Sequence, residues 1–471
     1  MAFRVSSFPP PCLRSPYWQN FIAGTIVGMT VGLYQALNLL GAGGGRPNSA
    51  QMVQVVNALL CGVFVVSSAL GGSVLNTFGP TITSILGIIG YMLYVGGLWY
   101  FDRTDHEWFP IFGGVAIGIS AGLIFVTMSS ISISYSEEKE RGSFIAMSVN
   151  LQATGAAVGG LVALIINRHS KEATGVPLAV YVFILAMMGL SCILALALRP
   201  ASKVIREDGT QVTTIKSRGY LEELKANLNI FRDWKLLIMI PAFLPSECFL
   251  VYGGSVNAFH NNLRTRSLLS FCAVALQIPC GFVLQKILDY EKLSRRKRAL
   301  ISLATVSTPL MAAWIWEIIR VRDYDRHNPP STPLDWTSDG FAPIFVLFMM
   351  NWVSSSLFQY IILYFLGCMT NSPQTSANYA GAYRSFLAIG ETICFGVDST
   401  DVPYIKEAGV IFAFYACGVL VFIFFVTTQV TQTQYLVGEE GVVLPQHVVE
   451  NHDQPIRAAE GIDIKGEDPS D

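Results

Sequence analysis

The sequence predicts an all-α polytopic membrane protein with twelve transmembrane helices in two six-helix bundles. Apolar segments of about 20 residues, the length that crosses a hydrocarbon core about 30 Å thick, recur between Tyr17 and Thr428. The mean hydropathy is +0.47, and charged residues make up only 14% of the chain. A charged segment from Arg199 to Lys235 divides the apolar segments into two groups of six.

These segments predict helices rather than barrel strands. In lipid every backbone polar group must be paired within the protein, which leaves only helices and closed barrels. Barrel strands alternate polar and apolar residues, whereas the segments here are continuous. Turns and charges place the helices near 17–40, 50–75, 81–101, 108–134, 142–166, 177–199, 236–259, 267–288, 299–319, 341–366, 378–397 and 407–428.

The same boundaries give the domain organisation. Within the segment between the bundles, residues 220–231 place apolar side chains at helical spacing. A helix at the inner membrane surface and a solvated linker helix both fit this pattern. The predicted order is a cytosolic tail (1–16), an N-terminal bundle (17–199), a cytosolic linker (200–235), a C-terminal bundle (236–428) and an acidic, disordered cytosolic tail (429–471).

Lys and Arg are distributed as in a multi-pass protein with both termini in the cytosol. Loops that would face the cytosol carry about twice as many of these residues as the opposite loops. The first sixteen residues lack the apolar stretch and cleavage site of a secretory signal. The plasma membrane and an internal membrane both fit the sequence.

Composition excludes several classes of function. A net charge of −2 speaks against a nucleic-acid partner. Eight of the nine Cys lie in apolar segments, and no Cys/His spacing suits a metal, so we expect neither metal nor cofactor. The only acidic residues inside predicted helices near the membrane centre are Glu247 and Glu391, which is too little polar chemistry to predict an enzyme.

The two halves repeat short patterns at equivalent places. Gly72-Ser-Val-Leu-Asn76 after helix two matches Gly281-Phe-Val-Leu-Gln285 in helix eight. Arg141-Gly-Ser-Phe-Ile-Ala146 at helix five matches Arg384-Ser-Phe-Leu-Ala388 at helix eleven. Duplicated bundles that face each other across a central cavity are typical of transporters that rock about a midplane site.

Four stretches carry a resemblance to a known family. They are Gly32-Leu-Tyr-Gln-Ala-Leu-Asn-Leu-Leu-Gly41, Gly72-Ser-Val-Leu-Asn-Thr-Phe-Gly-Pro80, Tyr135-Ser-Glu-Glu-Lys-Glu-Arg-Gly142 and Asn378-Tyr-Ala-Gly-Ala-Tyr-Arg384. On these residues the chain resembles the major facilitator superfamily, specifically its uncoordinated-93-like (Unc-93-like) branch as found in fungi. The resemblance covers residues 17–428 and implies the two-bundle fold.

The chain departs from the wider superfamily in the loop after helix two. Drug and sugar porters place an Asp and basic residues there, which are thought to latch the cytoplasmic gate; this sequence has Asn76, Thr77 and Pro80. Two functions therefore stay open: a facilitator of a small organic solute, with protons as a candidate coupling ion, or a regulator or trafficking partner of other membrane proteins. The gating-loop candidates are Gly72, Asn76, Gly79, Arg141 and Arg384.

Polar side chains inside the helices are the candidates for a solute site. Glu247 is the strongest, because a charge at mid-membrane normally faces a wet cavity or a partner, and Pro241 and Pro245 predict a kink beside it. A buried structural anchor is the alternative interpretation of Glu247. We expect Arg384 to anchor the inner end of helix eleven, too far from Glu391 to pair with it. The other candidates are Gln152, Gln277, Asn351, Gln359, Glu391, Gln35 and Asn38, each of which could instead join neighbouring helices.

The predicted topology is tested by reporter fusions. Fusions at Gly209 and Val437 should both report a cytosolic location, and a fusion at Pro330 should lie on the opposite side, because an even number of helices separates the first two sites. An inverted result at any of the three positions would contradict the topology.

Overall fold

The computed structural model describes residues 13–39, 50–167, 178–214, 219–400, 402–435, 438–439 and 441–450. Within them the regular structure is helical, with isolated β-bridges only. The all-α prediction is confirmed. In chain order the helices are α1 (Pro16–Val27), continued through a π-helical turn (Gly28–Gly32) into α2 (Leu33–Leu39), then α3 (Ala50–Thr104), α4 (Trp108–Ser134), α5 (Arg141–Asn167), α6 (Leu178–Ala195), α7 (Tyr220–Ile230), α8 (Trp234–Ile238), α9 (Ile240–Phe243), α10 (Cys248–His260), α11 (Leu263–Leu288), α12 (Arg295–Arg320), α13 (Phe341–Met369), α14 (Pro373–Asp398) and α15 (Tyr404–Thr428).

Eight of these helices, within the described ranges, are long and apolar enough to cross a membrane: α3 to α6, α11 to α13, and α15. The predicted first and seventh helices are helical but interrupted, and the eleventh, α14, carries more polar residues. Each predicted helix thus has a helical counterpart, and the number of twelve crossings stays a prediction. Large apolar side chains such as Ile193, Ile319 and Leu420 are exposed, as lipid-facing side chains would be.

Two breaks shape the helices. Gly79 divides α3 into the predicted second and third helices, with φ of 78° and ψ of 169°. Only glycine adopts this conformation without strain, and Pro80 then starts the next helix. The second break lies in the predicted seventh helix, where a 3₁₀ turn at Leu244–Ser246 separates α9 from α10. Glu247, which follows this turn, has a non-helical backbone with φ of −120° and ψ of 0°.

α14 begins before its predicted start at 378. Ser372 caps it by accepting a hydrogen bond from the Thr375 N–H, and Pro373 occupies its first turn. Arg384 therefore lies in the middle of the helix, 2% exposed. The sequence interpretation that Arg384 anchors the inner end of helix eleven is wrong for this reason.

The N-terminal and C-terminal halves meet along two helix pairs, α3 with α14 and α5 with α11. Small residues allow the backbones to approach. A Cβ on Gly72 would lie 2.3 Å from Asn378 Oδ1, and one on Gly381 would lie 2.6 Å from the Ser68 carbonyl O. Within the N-terminal half, a Cβ on Gly155 would lie 2.0 Å from the Gly28 carbonyl O.

The first and last described segments of the chain and the linker meet at one end of the molecule, which we call the terminal end. Ile205 N donates to Arg14 O at 3.0 Å, and Arg206 Nη1 donates to Val443 O at 2.8 Å. The sequence predicts a disordered tail, whereas its described residues, 429–435, 438–439 and 441–450, lie against this end through such hydrogen bonds. Residues 451–471 lie outside the described part of the chain.

The linker helix α7 turns its polar side toward the protein. Glu223 and Asn227 are buried against α3, where Asn227 Nδ2 donates to Ala69 O at 2.6 Å, whereas Leu221 and Leu228 are exposed. The linker is therefore part of the terminal end rather than a free tether between the halves.

The close approach of Gly155 to Gly28 predicts a difference between two glycine substitutions. Gly155→Ala should lower the free energy of unfolding by about 1–3 kcal/mol, because the new Cβ overlaps a backbone carbonyl. Gly189→Ala on α6 meets no atom within 4 Å and should leave stability unchanged or raise it by up to about 1 kcal/mol. Thermal unfolding of the purified protein in detergent measures both. Equal melting temperatures for the two variants would contradict the packing described.

Candidate functional site

A cavity lies where the two halves meet. Helices α2, α4 and α5 of the N-terminal half line one side, and the helix break at Glu247 with α10, α11, α13 and α14 lines the other. Its walls combine amides, aromatic rings and one ion pair. They are Gln35, Phe125, Val149, Gln152, Ala153, Glu247, Phe249, Leu250, Val274, Gln277, Trp352, Ser356, Gln359, Leu363 and Arg384.

The ion pair joins Glu247 and Arg384. Arg384 Nη1 donates to Glu247 Oε1 at 3.4 Å. The guanidinium carbon also lies 4.3 Å from the ring centre of Phe125 on α4 and 5.1 Å from that of Tyr383. Arg384 thus contacts both halves of the molecule at once. Its Nε is buried and has no hydrogen-bond partner among the described residues.

The break in the seventh helix explains the position of Glu247. Pro241 and Pro245 have no N–H to continue the helical ladder, and the chain passes through a 3₁₀ turn before α10 begins. Glu247 precedes α10 directly, so its side chain enters the cavity beside the helix N-terminus. Gln359 braces the break, since its Nε2 donates to Ser246 O at 3.1 Å.

The cavity amides differ in their bonding. Gln277 Nε2 donates to the Tyr360 hydroxyl at 3.4 Å, and that hydroxyl donates to Asn150 Oδ1 at 2.7 Å, which links α11, α13 and α5 across the halves. Sequence reasoning missed Asn150, although a polar residue two positions before Gln152 was a signal. The side chains of Gln35 and Gln152 have no hydrogen-bond partner within the described ranges.

The structure separates the remaining candidates from this site. Asn351 lines a second cavity between α10, α12 and α13. That cavity contains Glu317, which accepts hydrogen bonds from Tyr252 at 3.0 Å and Arg320 at 2.6 Å; sequence reasoning missed this group. Glu391 lines neither cavity and makes no hydrogen bond or ion pair among the described residues. The side chain of Asn38 lies outside the described residues.

A polar cluster centred on Arg141 joins the halves at the terminal end. Arg141 Nη1 donates to Gly367 O, and Nη2 donates to Asn371 Oδ1 at 2.8 Å. Asn371 Nδ2 donates to Glu138 at 2.8 Å, and Arg295 lies 3.3 Å from the same carboxylate. Burial opposes ionisation of Glu138, but Arg295 and Arg141 lower its pKa below the ordinary value.

A second cluster surrounds Asn76. Its Nδ2 donates to Glu223 Oε2 at 3.1 Å, to Gln374 O at 3.2 Å and to Asn378 Oδ1 at 3.5 Å. The loop after helix two therefore joins the halves without its own carboxylate, because Glu223 on α7 supplies one. Gly72 allows the close contact with Asn378, and Gly79 forms the turn.

A third contact caps α5 from the opposite half. The carboxylate of Asp289, after α11, accepts from Gly142 N at 2.8 Å, from Ser143 N at 2.6 Å and from Ser143 Oγ at 2.6 Å. A carboxylate at a helix N-terminus is favourable because it satisfies free N–H groups and opposes the helix dipole. We call these three contacts together the terminal-end gate. Among the described residues, no group of three His, Cys, Asp or Glu could hold a metal ion.

Comparison with known proteins places this arrangement in a family. The family described as ion channel regulatory protein UNC-93 matches residues 55–316. The chain belongs to the UNC-93 family. An uncharacterised membrane protein of Schizosaccharomyces pombe is 34% identical over 405 residues, with 85% of this chain and 82% of that protein covered. UNC93-like protein 1 of Arabidopsis thaliana is 28% identical, with 84% and 86% covered.

Solved structures similar to this UNC-93 chain are major facilitator transporters. The fucose:proton symporter FucP of E. coli matches with a TM-score of 0.62 at 11% identity, covering 89% of this chain and 100% of that one. The proton:xylose symporter XylE matches with a TM-score of 0.57 at 12% identity, covering 88% and 95%. The predicted major facilitator fold is confirmed.

The Glu247–Arg384 contact predicts coupled stability effects. Arg384→Gln should lower the free energy of unfolding by about 3–5 kcal/mol, because it leaves a carboxylate buried without its partner. The double variant with Glu247→Gln should lose much less than the sum of the single variants, since neither charge is then stranded. Melting temperatures of all three variants in detergent measure the coupling. Strictly additive effects would show that the two groups do not interact.

Proposed function

We propose that this UNC-93 protein carries a small organic solute across its membrane by alternating access of the two halves. The observation that carries the proposal is the cavity between the halves, with the buried ion pair Glu247–Arg384 in its wall. Charges are costly in a bilayer and are retained there chiefly where they serve a substrate, an ion or a partner. With both termini in the cytosol, the terminal-end gate would face the cytosol.

Hydrogen-bonding capacity in the cavity supports binding of a polar solute. Arg384 uses one of its five donors on Glu247, and Glu247 uses one oxygen. The amides of Gln35 and Gln152 are free of protein partners among the described residues. Phe249 and Trp352, whose ring centroids lie 5.3 Å apart, add apolar surface. Few convergent polar groups on an apolar wall are typical of small-molecule sites.

The terminal-end gate supports alternating access. Its contacts are hydrogen bonds and ion pairs between the halves, which can be exchanged for water when the halves separate. The missing Asp after helix two spoke against transport in the sequence, but Glu223 contacts Asn76 in its place. Transport is therefore the function that the geometry supports best.

Glu247 is the candidate proton carrier of this transporter. Glu247→Gln keeps the shape and much of the hydrogen bonding but removes titration, so it should abolish pH-driven accumulation of solute while expression and membrane localisation are preserved. Uptake or efflux across an imposed pH gradient measures this. Glu247→Leu, which also removes hydrogen bonding, serves as the comparison for a purely structural role. Undiminished proton-driven transport by Glu247→Gln would rule out the coupling role.

The solute itself is sought by comparing metabolites of cells that lack the protein with those of cells that overproduce it. A small polar solute should change in opposite directions in the two strains. Overproduced Arg384→Gln should not restore the change, whereas Gly189→Ala, matched as a helix substitution away from the cavity, should restore it. An unchanged metabolite profile in all strains would contradict transport.

The family description favours a second candidate function, regulation of other membrane proteins such as ion channels. A regulator should purify with a membrane protein in fixed stoichiometry, and its loss should change the activity or location of that partner without changing any solute. The two outcomes separate the candidates, because a carrier needs no such partner.

A further inference from the structure

The described part of the C-terminal tail forms a strap across the terminal end (residues 429–435, 438–439 and 441–450). Its first residues attach to the C-terminal half, where the amide N of Arg295 donates to Gln432 Oε1 at 3.2 Å. Val430 and Tyr435 are buried at 1% and 8% exposure. The strap then reaches the N-terminal half, since Gln434 N donates to Glu138 Oε1 at 2.8 Å.

Glu439 of the strap accepts three hydrogen bonds from one loop. Its Oε2 accepts hydrogen bonds from Asn371 N at 2.7 Å, Ser372 N at 2.8 Å and Thr370 Oγ1 at 3.0 Å. These donors precede α14, whose N-terminus favours a negative charge. Glu439 is thus bound by the loop that also supplies Asn371 to Arg141.

Beyond Glu439 the strap binds the linker. Thr213 Oγ1 donates to Gly441 O at 2.7 Å, and Thr214 N donates to the same oxygen at 3.0 Å. Gln446 N donates to Asp208 Oδ2 at 2.8 Å. The described residues of the strap therefore contact both halves and the linker that connects them.

The strap shares residues with the gate. Glu138 accepts from Gln434 of the strap and from Asn371 of the C-terminal half, and Asn371 in turn binds Arg141 of the N-terminal half. The strap is thus hydrogen-bonded to both halves at this end. We propose that the terminal end is a docking surface for the chain's own C-terminal strap, and that Glu439 latches the gate closed.

This arrangement makes release of the strap a condition for opening at the terminal end. Only the effect on solute movement rests on the proposed transport function. The effect on the gate exists for a carrier and for a regulator alike, and it is measured on amide hydrogens without any solute.

Hydrogen–deuterium exchange of the full-length protein in detergent tests the latch. In Glu439→Ala the amides of Asn371 and Ser372 should exchange about tenfold faster or more, because each loses a hydrogen bond to a charged acceptor. The amides of Gly142 and Ser143, which bind Asp289 of the opposite half, should also exchange faster, because the gate opens more often. Glu450→Ala removes an exposed carboxylate from the same strap and should change neither pair.

A chain that ends at Gly438 provides the second variant, since it keeps Val430 and Tyr435 but lacks Glu439 and the linker contacts. It should show faster exchange at both pairs of amides, with unchanged exchange in the middle of α4. If only the amides of Asn371 and Ser372 exchanged faster, Glu439 would be a local helix cap and the proposed latch would be wrong. Unchanged exchange at both pairs in both variants would overturn the docking of the strap as well.

Discussion

Pairing of polar groups between helices is the constraint on which this structure depends. Lipid offers no partner to a buried charge or amide, so such a group is favoured where it has a partner on a neighbouring helix or faces a cavity. Arg384 pairs with Glu247 and contacts the Phe125 ring. The hydrogen bonds from Gln277 to Tyr360 and from Tyr360 to Asn150 connect one half to the other. These contacts join helices of the two halves around the cavity.

The break in the seventh helix places an acidic side chain in the cavity. A continuous helix would direct its side chains by regular rotation, whereas the prolines and the 3₁₀ turn release Glu247 from that geometry. Gln359 compensates by binding the freed Ser246 carbonyl. The break therefore produces both the acidic group in the cavity and the polar contact that holds it in place.

At the terminal end, three sets of contacts hold the halves together: the direct contacts between the halves, those of the linker helix α7 and those of the strap. Glu223 brings a carboxylate from the linker to Asn76, and Glu439 brings one from the strap to the start of α14. In each case an acidic group from a connecting segment satisfies polar groups at the ends of membrane helices. Segments outside the bundles thus take part in the contacts between them.

The sequence by itself determined the helical class and the approximate helix positions, and it identified Glu247, Gln152, Gln277 and Gln359 as polar groups within helices, because hydropathy, proline and chain length act locally. It also contained the start signal of α14, Ser372-Pro373, whose neglect misplaced Arg384. Only the tertiary structure decided that Arg384 pairs with a residue 137 positions away, that Asn351 and Glu391 lie outside the central cavity, and that the acidic tail binds the terminal end. These depend on which helices are neighbours and how each is rotated, and both are set by packing and pairing across the whole chain.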